Sequence, residues 1–321
     1  MEQKNRKPKP DAAAFLRKPE PALMLFILFL GIVISILTDT FFTASNILLI
    51  SKQIAINGIL AIGISVTILS GGLDLSIGSM LGAICACTGA MYKAGLPLWL
   101  VILLTILIGA AAGALNGLSI VGLSVPPIIV TLATLNIFKG VSLVLTNGKW
   151  FTGLNKGFKP FGNGYTPFII LVCVMLIMTV IMKYTKFGRH IYAVGGNDNS
   201  ARLSGVNSSF IKFIVYVISG VMVSIATIIY IGRAGSASAT AGAGYETQAM
   251  AAAVVGGISL AGGKGSIPGA FLGTILMGLL LNAMVALKIN ANYQGIMTGL
   301  MIILALVLEK VRQNYTNRKK A

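Results

Sequence analysis

The sequence has few charged residues, and acidic residues are the scarcest of them. Charged side chains make up 10% of the 321 residues, with 25 Lys and Arg against 8 Asp and Glu. An average soluble domain has roughly 25% charged residues, so the composition excludes an ordinary soluble protein. Hydrophobic residues make up 56% of the chain instead. We therefore expect a membrane protein.

Residue types that carry catalytic or metal chemistry are also scarce. The chain has one histidine, His190, and its three cysteines, Cys85, Cys87 and Cys173, all lie in apolar runs. Cysteines in apolar runs usually act as small packing residues, so they do not indicate a disulfide framework or a metal site. No two acidic residues lie close together in the sequence as a catalytic pair would. The sequence predicts no enzyme, no metal and no cofactor.

The most tempting nucleotide motif is GGISLAGGKGS, residues 256–266. A P-loop needs a glycine six positions before its lysine and Ser or Thr directly after it. The corresponding positions around Lys264 hold Ile258 and Gly265. The chain is therefore not expected to bind ATP by itself.

Long uncharged runs are abundant. A membrane-spanning helix needs about 20 mostly apolar residues, and these runs are continuously apolar, which excludes an alternating porin-type barrel. The longest run contains Pro126 and Pro127, and a helix usually ends before a proline. This run therefore predicts two spans, and the nine runs together predict ten. The runs are residues 21–38, 53–73, 75–92, 94–138, 160–182, 213–232, 247–263, 265–287 and 289–308.

Basic residues predict the orientation, because cytoplasmic loops are enriched in Lys and Arg. They cluster in residues 1–20, in residues 310–321 and around the polar stretch 185–207. The sequence thus predicts an all-α polytopic membrane protein with about ten transmembrane helices and both termini cytoplasmic. A transmembrane domain over residues 21–309 lies between two basic tails. The net charge of +17 serves topology and contact with the lipid bilayer, and no nucleic-acid partner is expected.

Glycines recur every four residues in the fourth predicted span, at Gly109, Gly113 and Gly117. Such ridges let helix backbones approach closely in lipid. They serve either packing within the chain or a subunit interface.

Two acidic residues, Asp74 and Glu246, stand at the heads of apolar runs. Each fits a structural role, because a carboxylate can cap a helix N-terminus, and Glu246 could instead pair with Arg233. The alternative for either carboxylate is an ion or proton site.

Four motifs in order identify a family. They are GGLDLSIGS, PPIIVTLATLNIFKG, FGRHIYAVGGNDNSARLSGVN and TAGAGYETQAMAAAVVGGISLAGGKGSIPG. Together they closely resemble the membrane-spanning permease of bacterial sugar-uptake ABC transporters of the ribose, xylose, galactose and autoinducer-2 type. The resemblance implies the ABC importer permease fold and the bacterial cytoplasmic (inner) membrane. It also implies three partners: a cytoplasmic ATPase subunit, an extracellular or periplasmic sugar-binding protein, and a second permease subunit in a homodimer or heterodimer.

The resemblance also implies that the polar stretch, residues 185–207, is the coupling loop on which the ATPase acts. From the residues alone, Asn197 and Asp198 can cap a short helix that Gly205 ends, and Arg202 is the best candidate for contact with an acidic groove. The residues that match the family's loop are Gly188, Arg189, Tyr192, Ala193, Gly195, Gly196, Asn197, Ala201, Arg202, Leu203, Ser204 and Gly205.

Small polar residues within the spans are candidates for the translocation path, since they can hydrogen-bond to passing hydroxyls or else only bridge helices. They are Asn57, Thr131, Thr134, Asn136 and Asn282.

The sequence allows more than one hypothesis for the substrate and for the energy source. Ribose, a related pentose, a rhamnose-type sugar and autoinducer-2 all fit. An ion-coupled secondary sugar transporter with Asp74 or Glu246 as its coupling site is the alternative class.

On the predicted outer side, Trp150 and Phe158 lie in a stretch of residues, 147–166, that fits either an aromatic belt or a docking surface for the binding protein.

Overall fold

A computed structural model of the chain describes residues 19–38, 41–290, 293–304 and 307. Nearly all of the two predicted basic tails therefore lies outside the described residues. Two short strands, β1 (Phe151–Thr152) and β2 (Ser236–Ala237), pair antiparallel. The helices are α1 (Pro19–Leu37), α2 (Ala44–Leu69), α3 (Ile77–Lys93), α4 (Leu98–Gly122), α5 (Pro127–Thr146), α6 (Asn155–Gly162), α7 (Thr166–Tyr184), α8 (Lys186–Gly196), α9 (Asp198–Leu203), α10 (Ser208–Ala234), α11 (Tyr245–Val255), α12 (Ile267–Ala286) and α13 (Tyr293–Leu304).

Seven helices in the described part of the chain are long and apolar enough to cross a membrane. Each overlaps one of the predicted apolar runs. The predicted class, an all-α polytopic membrane protein, is confirmed. These helices are α1, α2, α4, α5, α7, α10 and α12.

The predicted run 247–263 does not form a continuous span. Its helix, α11, has 11 residues and is about 16 Å long at 1.5 Å per residue, about half of the hydrocarbon thickness. Glycines end the helix here: Gly256 lies at its C-terminus and Gly257 has φ +89°. The predicted run 75–92 overlaps α3, which has 17 residues, and the predicted run 289–308 contains α13.

The chain around α11 nevertheless passes from one end of the bundle to the other. Before α11, β2 pairs with β1 beside α6, at what we call the outer end. After α11, the backbone N–H of Gly263 donates to the carbonyl of Leu69, the last residue of α2, at 3.1 Å. This is the inner end, which carries α8 and α9. We call this irregular stretch together with the short helix α11 the broken crossing, and the predicted total of ten crossings stays a prediction.

Helix α2 forms the centre of the bundle, since its residues from Ile54 to Leu69 are all buried. The glycine ridge of α4 packs within the chain: Gly109 lies against Gly220 of α10, and Gly113 against the carbonyl of Tyr216. Of the two roles predicted for this ridge, packing within the chain is the one observed. By contrast, α1 lies at the periphery with most of its large apolar side chains exposed, as expected for a helix that faces lipid.

Candidate functional site

Two short helices follow α7 at the inner end. The hydroxyl of Thr185 accepts the backbone N–H of Gly188 at 3.1 Å and caps α8. The side chain of Asn197 accepts the N–H of Ser200 at 2.9 Å and caps α9. Gly205 follows α9 with φ +81°, in the left-handed region that glycine tolerates best. The short helix and its two ends therefore match the sequence-based prediction.

One side of α8 packs tightly against the bundle. Ile191 and Val194 are buried, and the hydroxyl of Tyr192 donates to the carbonyl of Gly265 at 3.1 Å. The Cα of Gly195 lies so close to the Leu69 carbonyl that a Cβ would collide with that oxygen. Burial raises the pKa of Tyr192, so its phenol stays protonated and able to donate at neutral pH. α8 is thus fixed to the end of α2 and to the loop between α11 and α12.

The opposite side of these two helices is uncovered among the described residues. Leu203, at the end of α9, is 91% exposed. Gly188 and Ala201 are buried, and Tyr192 and Gly195 are half-buried. The remaining predicted coupling residues are exposed: Arg189, Ala193, Gly196, Asn197, Arg202, Leu203, Ser204 and Gly205.

A small ion cluster joins α9 to α10. The carboxylate of Asp198 lies 2.8 Å from the Lys212 ammonium and 3.2 Å from the Arg202 guanidinium. Partial burial alone would raise the pKa of Asp198, but hydrogen bonds from Lys212, Ser208 and Arg202 and the Lys212 charge lower it to about 2. Arg202, predicted to contact an acidic partner, therefore already has an acidic neighbour in its own chain.

A polar cavity of about 320 Å³ lies between α2, the end of α10 and the broken crossing. The side chain of Asn57 on α2 donates a hydrogen bond to Gln248 of α11 at 2.9 Å, across the cavity wall. Asn57 is 5% exposed, and its carbonyl oxygen has no hydrogen-bond partner among the described residues. The lining consists of Gln53, Asn57, Tyr230, Arg233, Thr240, Gly242, Ala243, Tyr245 and Gln248.

Of the predicted path residues, Asn57 lines this cavity and the others lie elsewhere. Thr131 donates to the Leu73 carbonyl at 3.2 Å, and buried Thr134 bonds to the carbonyl of Thr131 within α5. Asn136 is on the exposed face of α5. Asn282 exchanges two hydrogen bonds with Asn46, at 2.9 and 3.0 Å, and so bridges α12 and α2.

Asp74 does not occupy the N-cap position of α3, which belongs to Ser76. Instead its carboxylate accepts hydrogen bonds from the backbone N–H and hydroxyl of Ser76, at 3.0 and 2.6 Å. Its second oxygen accepts from the hydroxyl of Ser219 on α10 at 3.1 Å. The side chain is fully buried. Asp74 therefore joins the segment before α3 to α10, because three donors converge on it.

Glu246 bonds locally at the start of α11. Its carboxylate accepts the backbone N–H of Gly244 at 3.3 Å and lies against Gly78 of α3. The predicted alternative, an ion pair with Arg233, does not occur. Ion pairs among the described residues involve Asp198 alone as the acid.

Sequence reasoning did not select Arg233 or Gln248 as site residues. A signal was available, because Arg233 is a charge at the end of a span and a glycine-rich stretch follows it.

The two aromatic residues predicted to lie on the outer side differ in their exposure. Trp150 is 64% exposed, whereas Phe158 is fully buried and meets the ring of Tyr92 edge to face at 5.4 Å. Phe158 is therefore a core residue and not part of an aromatic belt.

Comparison with known proteins identifies the family. The family model described as branched-chain amino acid transport system / permease component matches residues 46–306. The chain belongs to this family. The permease is similar to the ribose import permease protein RbsC of Bacillus subtilis, with 40% identity over 302 residues that cover 92% of this chain and 93% of that protein.

Two further relatives are similar over almost the whole chain. The ribose import permease protein RbsC of Escherichia coli K12 is 37% identical over 306 residues, 92% of this chain and 94% of that protein. The autoinducer 2 import system permease protein LsrC of Photorhabdus laumondii is 33% identical over 295 residues, 90% of this chain and 89% of that protein. The resemblance predicted from the four motifs is thereby confirmed. The chain is a transport permease subunit, a multi-pass protein of the bacterial cytoplasmic membrane.

Proposed function

We propose that the permease is the membrane subunit of an ATP-driven ABC importer that moves ribose or a closely related monosaccharide. Two relatives named ribose import permease, each aligned over about nine-tenths of both chains, support this substrate class. Autoinducer-2 is the second candidate, favoured by the likeness to the autoinducer 2 permease at 33% identity.

The α8–α9 loop is the structural observation that carries the ATP-driven mechanism. The side of this loop that faces the bundle is fixed through Ile191, Tyr192 and Gly195. The opposite side is uncovered among the described residues. A cytoplasmic ATPase subunit that binds this uncovered side would push on α2 and on the loop between α11 and α12. ATP hydrolysis itself belongs to that partner, since Ile258 and Gly265 replace the glycine and Ser or Thr that a P-loop needs.

The remaining partners meet other surfaces. An extracellular or periplasmic sugar-binding protein would dock at the outer end, where Trp150 is exposed beside β1. A second permease subunit, identical or homologous, would complete the pathway in a homodimer or heterodimer. Exposed faces such as that of α5, which carries Asn136, are available to it.

The coupling proposal is tested by shortening Leu203, the most exposed side chain of the loop. In a complex with the ATPase in mild detergent, Leu203→Ala should reduce the amount of ATPase retained. Losing a buried Leu side chain at an interface costs about 2 kcal/mol, roughly thirtyfold in affinity. The matched control is Leu287→Ala, the same change at the C-terminal end of α12, where the side chain is 44% exposed.

Equal ATPase retention by the two variants would refute the placement of the ATPase on this loop. The substrate is tested separately: the sugar-binding protein that the permease captures should carry ribose when its ligand is analysed by mass spectrometry. Autoinducer-2 in that protein would favour the second candidate.

A further inference from the structure

The cavity beside α11 has a mostly polar lining that reaches the surface of the protein, since Arg233, Thr240 and Ala243 are exposed. It contains two glutamines, an asparagine, an arginine, a threonine and two tyrosines, and the remaining lining residues are Gly242 and Ala243. The volume of about 320 Å³ is at the lower end of the range of small-molecule sites, about 300–1,000 Å³.

The cavity lies where the eighth crossing is broken. Thr240, Gly242 and Tyr245 belong to the irregular stretch and to the first turn of α11. Irregular backbone at membrane depth is tolerated where it is buried in protein or lines a polar cavity. In transporters, binding sites recur beside such half-helices.

The lining distinguishes between two classes of cargo. The family description names branched-chain amino acids, whose side chains need an aliphatic pocket and whose ammonium group needs an acceptor such as a carboxylate. The lining has no Val, Leu, Ile, Met or Phe and no acidic residue. Amides, hydroxyls and a guanidinium can instead donate to and accept from the several hydroxyls of a sugar.

Asn57 and Gln248 are the most defined pair of the lining. Their mutual hydrogen bond of 2.9 Å fixes both amides across the contact between α2 and α11. The carbonyl oxygen of Asn57 is buried without a partner among the described residues, which is costly unless a donor reaches it. The amide nitrogen of Gln248, a partly exposed residue, donates no hydrogen bond among the described residues and can donate to a sugar oxygen.

Arg233 completes the site from α10. It lines the cavity and forms no ion pair within the described part of the chain, so its guanidinium donors are available to ligand oxygens. The rings of Tyr230 and Tyr245 line the same space, and aromatic faces suit the apolar C–H face of a pyranose or furanose ring.

We infer that this cavity is a transit site for a single neutral monosaccharide, in which the Asn57–Gln248 amide pair and Arg233 bind its hydroxyls. The inference rests on the proposed function and adds a site within the permease itself. Binding here is weak, since a transported solute must leave as readily as it enters. The site is therefore detected by flux and not by affinity.

The test uses proteoliposomes that contain the permease, its ATPase and the sugar-binding protein. Two rates are measured together: ATP hydrolysis stimulated by the loaded binding protein, and accumulation of labelled ribose. Asn57→Ala should keep the stimulated hydrolysis and reduce the ribose accumulated per ATP by about fivefold or more, the factor expected for one lost hydrogen bond. Gln248→Met, which keeps the side-chain length and removes the amide, should do the same.

Asn116→Ala is the matched control. Asn116 is also a buried asparagine, donates one hydrogen bond of 2.9 Å, to Ser76, and has an unpartnered carbonyl oxygen among the described residues. It does not line the cavity, so its ribose-to-ATP ratio should equal that of the unmodified permease.

The outcomes separate the two proposals. An unchanged ribose-to-ATP ratio in both Asn57→Ala and Gln248→Met overturns the transit site. A reduction in Asn116→Ala as large as in Asn57→Ala overturns it too, because a general packing defect would then explain the loss. Failure of the unmodified complex to accumulate ribose, whatever the variants do, refutes ribose as the cargo in the proposed function instead.

Discussion

The hydroxyl of Tyr192 donates a hydrogen bond to the backbone carbonyl of Gly265, 3.1 Å away. This bond joins α8 to the loop between α11 and α12. Because the same loop bonds to the end of α2 through Gly263 and Leu69, these contacts connect α8 to both helices that carry the Asn57–Gln248 pair. The relationship links the proposed ATPase surface to the polar cavity.

Removing this hydroxyl should weaken the coupling. Tyr192→Phe is expected to reduce the stimulation of ATP hydrolysis by the loaded binding protein about fivefold, the equivalent of one hydrogen bond of about 1 kcal/mol. The measurement is phosphate release by the reconstituted complex with and without loaded binding protein.

Tyr165→Phe at the outer end is the control for the tyrosine change, because that side chain is 53% exposed and its hydroxyl makes no hydrogen bond within the described residues. Full stimulation in both variants would remove Tyr192 from the coupling path.

Asp74 should tolerate substitution by Asn better than by Leu. An asparagine oxygen can still accept from Ser76, and its amide can donate to the Ser219 hydroxyl, whereas Leu leaves these buried groups unpaired. Each unsatisfied buried group costs about 1–3 kcal/mol, so Asp74→Leu should unfold at a clearly lower temperature. Thermal unfolding in detergent and ATP-driven uptake measure the two effects.

Uptake decides between the structural role and an ion-coupling role for this carboxylate. We expect Asp74→Asn to transport sugar, since the network of donors around residue 74 survives without the charge. Loss of uptake in a well-folded Asp74→Asn permease would indicate that the charge itself is required.

The Asp198 cluster predicts a stability difference that depends on pH. Its pKa is lowered from the ordinary 3.8 to about 2, so the charged form stabilises the fold above pH 3.8, and this contribution disappears as the pH falls towards 2. At pH 7, Asp198→Asn should unfold about 1–3 °C below the unmodified permease, as expected for a partly exposed ion pair.

The difference in unfolding temperature between the two proteins should shrink as the pH is lowered from 5 to 2.5, because the unmodified carboxyl becomes protonated as well. A difference that stays constant over this range would show that the charge of Asp198 contributes nothing.

Local features of the fold could be predicted from the sequence, because they depend on neighbouring residues. The apolar runs predicted the spans, and the order Asn197, Asp198, Gly205 predicted a short capped helix that the structure contains. The break of the eighth span was missed, since residues 247–263 carry no charge to interrupt the run. Glycines at positions 256, 257, 262 and 263 were the available signal.

The cavity could not be predicted in the same way. It forms where α2, α10 and α11 meet, and Asn57 and Gln248 are 191 residues apart in the sequence. A polar residue within a span can bond to its own helix, as Thr134 does, or face a cavity, as Asn57 does. Sequence alone does not distinguish these outcomes, because both place one polar group in an apolar run.

Uptake into proteoliposomes identifies the energy source of transport most directly. Vesicles that contain the permease, its ATPase and the loaded sugar-binding protein, with ATP on the cytoplasmic side of the permease, are treated with ionophores that abolish all ion gradients. We predict that labelled ribose accumulates at an undiminished rate while ATP is present and not at all without it. Uptake that the ionophores abolish in the presence of ATP would contradict the account and favour ion-coupled secondary transport.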